Sequence, residues 1–239
     1  MESALNHGLC ERFRNIQRRI EDTARRSGRK ASDITVVAIS KTHSADRIQA
    51  AISCGVRDVG ENRVQEAEPK IQQVGRRSAR WHFVGHLQAN KARKAVKLFD
   101  VIHSLDSADL AKRLDRLCCE EQRDVLPVLL QVKLSEEETK SGVDEQNVFD
   151  LARQVNECDR LQLVGVMSVP PYFEDPEKVR PFFRQLRELR DELRSQGSFS
   201  ETLGELSMGM THDFEVAIEE GATMVRIGTA IFGERPQSA

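Results

Sequence analysis

The chain has 239 residues, of which 39% are hydrophobic and 31% are charged, which is enough to bury one large core. Its 36 Lys and Arg residues against 38 Asp and Glu residues give a formal net charge of −2, and this balance argues against a nucleic-acid or membrane-surface protein. No apolar run approaches the roughly 20 residues that span a bilayer, and the N-terminus lacks the layout of a signal peptide. We therefore expect a cytoplasmic protein with a single domain over residues 1–239.

Five cysteines, an odd number without a Cys-x-x-Cys motif, argue against a disulfide framework and against a zinc site. Two of them, Cys118 and Cys119, are adjacent in a predicted helix. We expect reduced thiols with mostly structural roles. Aromatic residues make up only 5% of the chain, with one Trp and one Tyr, which argues against base-stacking surfaces.

Apolar spacing predicts a regular alternation of helices and strands. An amphipathic helix over about residues 2–27 opens the chain. The run from Ile34 to Ser40 is too continuous for a half-exposed strand, so it predicts a strand buried on both faces, as in a parallel sheet. Further strands are predicted around Val59 and at 81–85, 101–105, 125–132, 161–169, 203–208 and 224–227. The predicted helices between and after the strands cover 44–54, 64–74, 91–99, 107–121, 146–156, 176–194 and 213–220.

About eight strands, each followed by a helix or a plausible helical connection, predict an α/β fold. In about 240 residues this is the size of a TIM (β/α)8 barrel, here with an additional N-terminal helix. A doubly wound open sheet is the alternative fold. However, no strand is followed by the Gly-x-Gly-x-x-Gly turn that would indicate a dinucleotide site in such a sheet.

In a barrel, functional groups collect at the C-terminal ends of the strands. Lys41 follows the first buried strand, where an amine whose charge is suppressed can form a Schiff base with an aldehyde. The alternative for Lys41 is a stem packed on the barrel rim with its ammonium group in solvent. Lys133 ends the fifth strand in the same way, but a very polar segment follows it, and there the solvated interpretation is preferred.

Two turns rich in glycine and hydroxyl groups follow strands seven and eight. The first is Ser207-Met-Gly209 with Thr211, and the second is Gly228-Thr229. TIM barrels commonly build phosphate sites at these positions from backbone N–H groups. Either turn alone is a weak signal, but the two together favour an anionic ligand.

Arg226 lies inside an otherwise apolar strand and must have a partner. The residues leave that partner open between an anionic ligand and a buried carboxylate such as Glu61. His82 and His86 are four residues apart on an extended segment, about 13 Å, and cannot share a metal ion, so no metal site is predicted. The basic concentration within residues 76–97 is interpreted as a solvated face, with a partner-binding patch as the alternative.

Motifs over nearly the whole chain resemble those of the pyridoxal-phosphate-binding homeostasis proteins, which have the alanine-racemase-type barrel but no second domain. The motifs are Val-Ala-Ile-Ser-Lys41-Thr, Val-Gly-Glu-Asn62-Arg-Val-Gln-Glu, Trp81-His-Phe-Val-Gly-His-Leu-Gln-Ala-Asn-Lys91, Lys140-Ser-Gly142, Val-Met167-Ser-Val-Pro-Pro-Tyr172, Leu-Ser207-Met-Gly-Met and Val-Arg226-Ile-Gly-Thr-Ala-Ile-Phe-Gly233. Together and in this order they are highly specific. One departure is Thr211-His212, where relatives more often have Ser-Gly.

The resemblance implies that pyridoxal 5'-phosphate (PLP) is the cofactor and that Lys41 holds it as a Schiff base. It implies cofactor-binding roles for a further set of residues near the strand ends: Asn62, His82, Met167, Ser168, Ser207, Met208, Arg226, Gly228 and Thr229. Within this set Ser207, Gly228 and Thr229 hold the phosphate, and Arg226 faces the pyridine nitrogen. An arginine there disfavours protonation of the ring and weakens the electron sink on which most PLP chemistry depends.

The resemblance thus implies a non-catalytic PLP-binding monomer that maintains intracellular PLP (vitamin B6) and amino-acid homeostasis, with PLP-dependent client enzymes as partners. Related racemases need a tyrosine from a second domain, and we expect no such domain because the barrel uses the whole chain. The only tyrosine, Tyr172, is interpreted as a loop anchor. The alternative function is a weak PLP-dependent amino-acid racemase or related enzyme, with Lys41 as one base and Tyr172 or His82 as the other. A third hypothesis is an interaction protein whose basic patch docks a partner.

Overall fold

A computed structural model describes residues 2–135, 141–200 and 203–234, with side chains from residue 8 onward. Eight parallel strands close into a barrel, because the first strand pairs with both the second and the last. The strands of the barrel, with one short addition, are β1 (Thr35–Ile39), β2 (Asp58–Glu61), β3 (Arg80–Phe83), β4 (Val101–Leu105), β5 (Leu126–Lys133), β6 (Val143–Asp144), β7 (Leu161–Met167), β8 (Glu205–Met210) and β9 (Met224–Ile227). The predicted TIM-type barrel is therefore confirmed.

The helices surround the barrel in the predicted order. They are α1 (Glu2–Arg26), α2 (Ala45–Ser53), α3 (Val64–Val74), α4 (Ala92–Leu98), α5 (Ala108–Glu120), α6 (Val148–Asn156), α7 (Arg180–Ser195), α8 (Phe214–Glu219) and α9 (Thr229–Phe232). Two elements were not predicted: β6, which pairs only with the end of β5, and α9. Both are too short to show an apolar period. Lys140 of the predicted motifs lies outside the described residues.

Side chains of the strands alternate between two environments. Outward-facing residues such as Trp81 and Phe83 pack with the helices in the main core. Inward-facing residues form a small separate cluster of Val101, Leu129 and Val164 with Met167. Within the described ranges, no helix combines the length and apolar character needed to cross a bilayer.

Helix α1 packs on the barrel through residues at the predicted helical spacing, among them Leu9, Phe13 and Ile16. Cys10 on this helix and Cys54 at the end of α2 form a disulfide, so the prediction of reduced thiols is wrong for this pair. The contact between α1 and α2 that brings the sulfurs together is tertiary and leaves no spacing motif. Three cysteines of the described part are free: Cys118 is buried, Cys119 is exposed and Cys158 is half-buried.

Most cations of the basic segment 76–97 face acidic partners from neighbouring elements. The shortest described distances of these pairs are Arg76 to Asp100 at 2.6 Å, Lys94 to Glu68 at 2.6 Å and Lys97 to Glu121 at 2.9 Å, and Arg93 contacts Glu120 and Glu121. Much of the positive charge of this segment, which runs from the loop before β3 into α4, is thus paired with acidic side chains, in line with the interpretation as a solvated face.

Candidate ligand site at the barrel mouth

Lys41 lies two residues beyond β1 on a tight turn and is half-buried. The N–H of Ser40 donates to the carbonyl of Gly60 at 3.0 Å, which continues the β1–β2 pairing to the residue before Lys41. Thr42, directly after Lys41, has a φ of 69°, a left-handed conformation that costs a non-glycine residue of order 1 kcal/mol. The backbone on both sides of Lys41 is thus closely constrained.

A buried ion pair fixes the strand ends that carry Lys41 and Asn62. The Glu61 Oε1 atom lies 2.7 Å from the Lys70 Nζ atom and accepts from the Ser40 hydroxyl at 2.5 Å. Lys70 Nζ also donates to the Ser40 carbonyl at 3.0 Å. Burial raises the pKa of Glu61, and the Lys70 ammonium opposes that rise. Glu61 is therefore paired with Lys70 and is not the partner of the arginine in β9.

The ends of β8 and β9 meet beside the end of β1. The Thr211 hydroxyl accepts from the N–H of Gly228 at 3.3 Å, and a Cβ atom on Gly228 would lie 3.5 Å from the carbonyl oxygen of Ile39. Gly209 has a φ of 88°, and a Cβ atom there would come within 2.5 Å of the Ala217 Cβ atom, so this position requires glycine. The predicted pair of turns is thus brought together next to Lys41.

Arg226 points into the barrel, where it is 5% exposed. Its NH1 group donates to both the carbonyl and the hydroxyl of Ser207 at 2.7 Å, and its NH2 group donates to the carbonyl of Ser168 at 2.7 Å. Burial lowers the pKa of Arg226 to about 10, so the guanidinium stays charged at neutral pH. The partners of this buried arginine within the described protein are oxygen atoms of neutral groups.

The side chains of Ser207 and Met208, both predicted to bind the cofactor, have partners within the protein. Ser207 is fully buried, with its hydroxyl turned to Arg226, whereas the hydroxyl beside the Gly228 N–H belongs to Thr211. Met208 follows Ser207 on the strand, so its side chain points the opposite way and packs in the core between barrel and helices. The Ser207 hydroxyl thus has a partner within the protein and the Met208 side chain lies in the core, and the predicted cofactor-binding roles of both residues stay predictions.

His82 is fully buried inside the barrel. Its Nε2 atom lies 2.9 Å from Asp58 Oδ1, and its Nδ1 atom lies 2.8 Å from the Nε2 atom of His103. Sequence reasoning missed Asp58 and His103 as site residues. The sequence did contain a signal for them. Side chains alternate along a strand, and this alternation assigns Asp58 in β2 and His103 in β4 to the barrel interior, where a polar residue is unusual.

Polar atoms without a described hydrogen-bond partner lie at two further strand ends: Asn62 Oδ1 and Ser168 Oγ, both buried. Met167 is fully buried in the inner cluster next to Ser168. At the rim, Tyr172 is 73% exposed and its ring lies 5.4 Å from that of His212. His212, the departure noted above, is also 2.9 Å from the carbonyl of Glu174, so it joins the loops after β7 and β8.

The sequence profile of a known family covers this barrel. The alanine racemase N-terminal domain matches residues 13–236. The chain belongs to this family. A pyridoxal phosphate homeostasis protein of Aquifex aeolicus is 44% identical over 226 residues, with 95% of this chain and 98% of the relative covered. The protein of the same name in Escherichia coli K12 is 39% identical over 239 residues, with 96% and 98% covered.

Two solved structures have a similar fold to this chain. PipY of Synechococcus elongatus PCC7942, determined with PLP bound, is 37% identical and superposes with a TM-score of 0.80, covering 94% of this chain and all of PipY. Alanine racemase of Corynebacterium glutamicum is only 15% identical, with a TM-score of 0.71 over 98% of this chain and 63% of the racemase. The two homeostasis proteins and PipY are thus matched over nearly their whole length, whereas the racemase is matched over 63% of its own chain.

Proposed function

We propose that this chain is a non-catalytic, cytoplasmic carrier that binds PLP reversibly as a Schiff base on Lys41 and serves PLP and amino-acid homeostasis. The observation that carries the proposal is the convergence of three unlike groups at one mouth. These are an amine on a constrained turn, the Thr211 hydroxyl with the Gly228 N–H, and the buried guanidinium of Arg226. The named function of the relatives supports the same ligand.

The donor set fits this cofactor chemically. An amine matches an aldehyde, a hydroxyl beside a backbone N–H matches a phosphate, and a guanidinium matches an unprotonated ring nitrogen. The buried oxygens of Asn62 and Ser168, which lack a partner within the described protein, supply further polar contacts. In this proposal the phosphate contacts come from Thr211, Gly228 and Thr229, and Ser207 instead holds Arg226.

When bound, PLP supplies an electron sink whose strength depends on protonation of its ring nitrogen. Arg226 keeps its proton at neutral pH, because its pKa of about 10 lies well above 7. It can therefore donate a hydrogen bond to the ring nitrogen without transferring a proton. The residues around the site hold and orient the ligand and leave it weakly activated, which suits a carrier.

The racemase alternative needs a second base besides Lys41, and its two candidates, His82 and Tyr172, are poorly placed. Both ring nitrogens of His82 are occupied by Asp58 and His103 inside the barrel. Tyr172 is largely exposed at the rim against His212. Neither is a free acid or base facing Lys41 in the described arrangement.

The test is reduction of the PLP-loaded protein with borohydride, followed by peptide mapping. We expect the adduct on Lys41. Lys41→Ala should weaken PLP binding by about 100-fold or more, corresponding to ~2.7 kcal/mol. Lys133→Ala is the matched control, since this lysine also ends a barrel strand and should leave the affinity unchanged. An adduct elsewhere, or full affinity in Lys41→Ala, would show that the Schiff-base assignment is wrong.

Exchange of the α-hydrogen separates a carrier from an enzyme. The protein is incubated with free amino acids in deuterated water, and incorporation at the α-carbon is followed. A carrier gives no wash-in at enzymatic rates. Rapid wash-in that Lys41→Ala abolishes would replace the carrier proposal by the racemase alternative.

A further inference from the structure

A continuous row of hydrogen bonds runs through the interior of the barrel from Arg226 to Asp58. Arg226 NH1 lies 2.7 Å from Ser207 Oγ, and Ser207 Oγ lies 2.9 Å from His103 Nδ1. His103 Nε2 lies 2.8 Å from His82 Nδ1, and His82 Nε2 lies 2.9 Å from Asp58 Oδ1. The five residues come from β2, β3, β4, β8 and β9, so the row crosses the barrel. We call it the interior relay.

Donor and acceptor chemistry gives every bond in the interior relay one direction. The Asp58 carboxylate only accepts, so the Nε2 atom of His82 carries the proton. A neutral His82 then accepts at Nδ1, and His103 must donate from Nε2. His103 in turn accepts at Nδ1 from the Ser207 hydroxyl, which accepts from Arg226, a donor only. Protons therefore point from the guanidinium to the carboxylate at each step.

The electrostatics agree with neutral imidazoles between two charged ends. Burial lowers the pKa of His82 and lowers that of His103 well below its ordinary value. The hydrogen bond and the charge of Asp58 oppose the lowering of the His82 pKa, as does Asp100, whereas Arg80 adds to it. At His103, nearby His82, Arg226 and Arg80 all lower the pKa further. The Asp58 side chain is 17% exposed and opens β2 at its amino-terminal end, so this end of the relay reaches solvent.

The contacts of Arg226 with Ser207 and Ser168 determine which of its N–H groups remain for a ligand. A guanidinium has five N–H groups. Three are used by the two Ser207 oxygens and the Ser168 carbonyl. The Ser207 hydroxyl accepts from Arg226 with one lone pair, and its own proton is given to the unprotonated Nδ1 of His103, which fixes the rotation of the hydroxyl. One of the contacts that hold Arg226 is thus linked through Ser207 to His103, to which Arg226 has no described hydrogen bond.

We propose that Asp58, His82, His103 and Ser207 are positioning residues that hold Arg226 as a fixed hydrogen-bond donor to the ring nitrogen of a bound pyridoxal ligand. This inference rests on the proposed function for the identity of the ligand. The interior relay itself exists in the protein without any ligand. Its two parts can therefore be tested separately.

Asp58→Asn is the most selective change. The amide can still accept from His82, but it can also donate, so it no longer imposes one direction on the relay. In the ligand-free protein, nitrogen NMR of ¹⁵N-histidine should show the Nε2–H tautomer for both His82 and His103. Asp58→Asn should give a mixture of tautomers at His103, which does not contact Asp58. Ser104→Ala, which removes a buried hydroxyl without a described partner next to His103, is the matched control and should leave the tautomers unchanged.

The ligand arm compares PLP with an analogue that has carbon in place of the ring nitrogen. The parent protein should prefer PLP, and Asp58→Asn should reduce that preference about tenfold, while Ser104→Ala keeps it. Ser207→Ala is a second variant with the same expected loss, in case Asp58→Asn folds poorly. If Asp58 and Ser207 had a purely structural role, the variants would bind both ligands more weakly by the same factor.

An Nδ1–H tautomer of His103 in the parent protein, or a His103 signal that does not change in Asp58→Asn, would overturn the direction of the relay. Equal losses of affinity for the two ligands would overturn the positioning of Arg226 toward the ring nitrogen. Failure of the proposed function has a different signature. PLP binding would then be independent of Lys41, and the histidine tautomers, measured without ligand, would still respond to Asp58→Asn. The ring-nitrogen part would fail in that case while the direction of the relay stood.

Discussion

Thr211 occupies the position that the phosphate proposal depends on. Its hydroxyl lies beside the N–H of Gly228, at the meeting point of the β8 and β9 ends. The family resemblance implies a serine more often at this position, and threonine keeps its hydroxyl. The chemistry of the predicted site is therefore preserved at Thr211, although the sequence interpretation gave the phosphate contact to Ser207.

Thr211→Val should weaken PLP binding about tenfold, because it removes one hydrogen-bond donor to a charged phosphate, worth roughly 1.5 kcal/mol. The affinity is measured by titration followed by absorbance. Pyridoxal, which lacks the phosphate, is the control ligand, and its binding should not change. Equal losses for both ligands would contradict a phosphate role for Thr211.

Lys70 neutralises a carboxylate that has no other cation within hydrogen-bond distance in the described structure. Lys70→Met should lower the free energy of unfolding by about 3 to 5 kcal/mol, since it leaves Glu61 buried and without its charge partner. Urea denaturation measures the loss. The double variant Glu61→Gln/Lys70→Met should recover most of it. A loss below about 1 kcal/mol in the single variant would mean that the pair does not stabilise the strand ends.

At the scale of elements, the predicted boundaries lay close to the observed ones wherever apolar residues repeat. Helix α3 was predicted at its observed bounds, and β4 and β9 likewise. The helix predicted from 176 begins instead as a 3-10 turn over Pro176–Val179 before α7. Short helices such as α9, with four residues, span too few positions for an apolar repeat to be recognised in the sequence.

The disulfide between Cys10 and Cys54 links α1 to the end of α2 across a sequence separation of 44. A crosslink of this span stabilises by about 4 kcal/mol when it restricts the unfolded chain. Reduction, or the double variant Cys10→Ser/Cys54→Ser, should lower the free energy of unfolding by up to this amount. Denaturation with and without dithiothreitol measures it, and Cys119→Ser, at an exposed free thiol, should have no effect. Identical curves in both conditions would show that the disulfide does not stabilise the fold.

For the whole molecule, barrel closure places polar groups from distant parts of the chain in one interior. Ser207 and His103 are 104 positions apart in sequence yet are hydrogen-bonded. The same closure sets the end of β9 beside the end of β1, which brings Gly228 to the strand that carries Lys41. The site is therefore a property of the closed barrel.

The buried histidines make stability depend on pH. His82 and His103 have lowered pKa values in the folded protein against an ordinary value of 6.5, so below about pH 6.5 the unfolded chain binds more protons than the folded one. The free energy of unfolding should therefore be highest above that pH. It should fall on acidification, by up to about 1.4 kcal/mol per pH unit for each histidine.

Urea denaturation across this range tests the effect. His103→Asn should reduce the slope, and His86→Asn, at an exposed histidine, should leave it intact. A flat profile between about pH 7 and 5.5 would contradict neutral buried imidazoles.

The sequence by itself determined the alternation of strands and helices, the barrel class and the strand-end position of Lys41, because each depends on local apolar spacing and on the residue that follows a buried run. Only the tertiary structure decided which polar groups pair. Glu61 is bound to Lys70, Arg226 to Ser207 and Ser168, and Cys10 to Cys54. Alternation along a strand tells which face a side chain takes, but the neighbour across the barrel is fixed by closure and register.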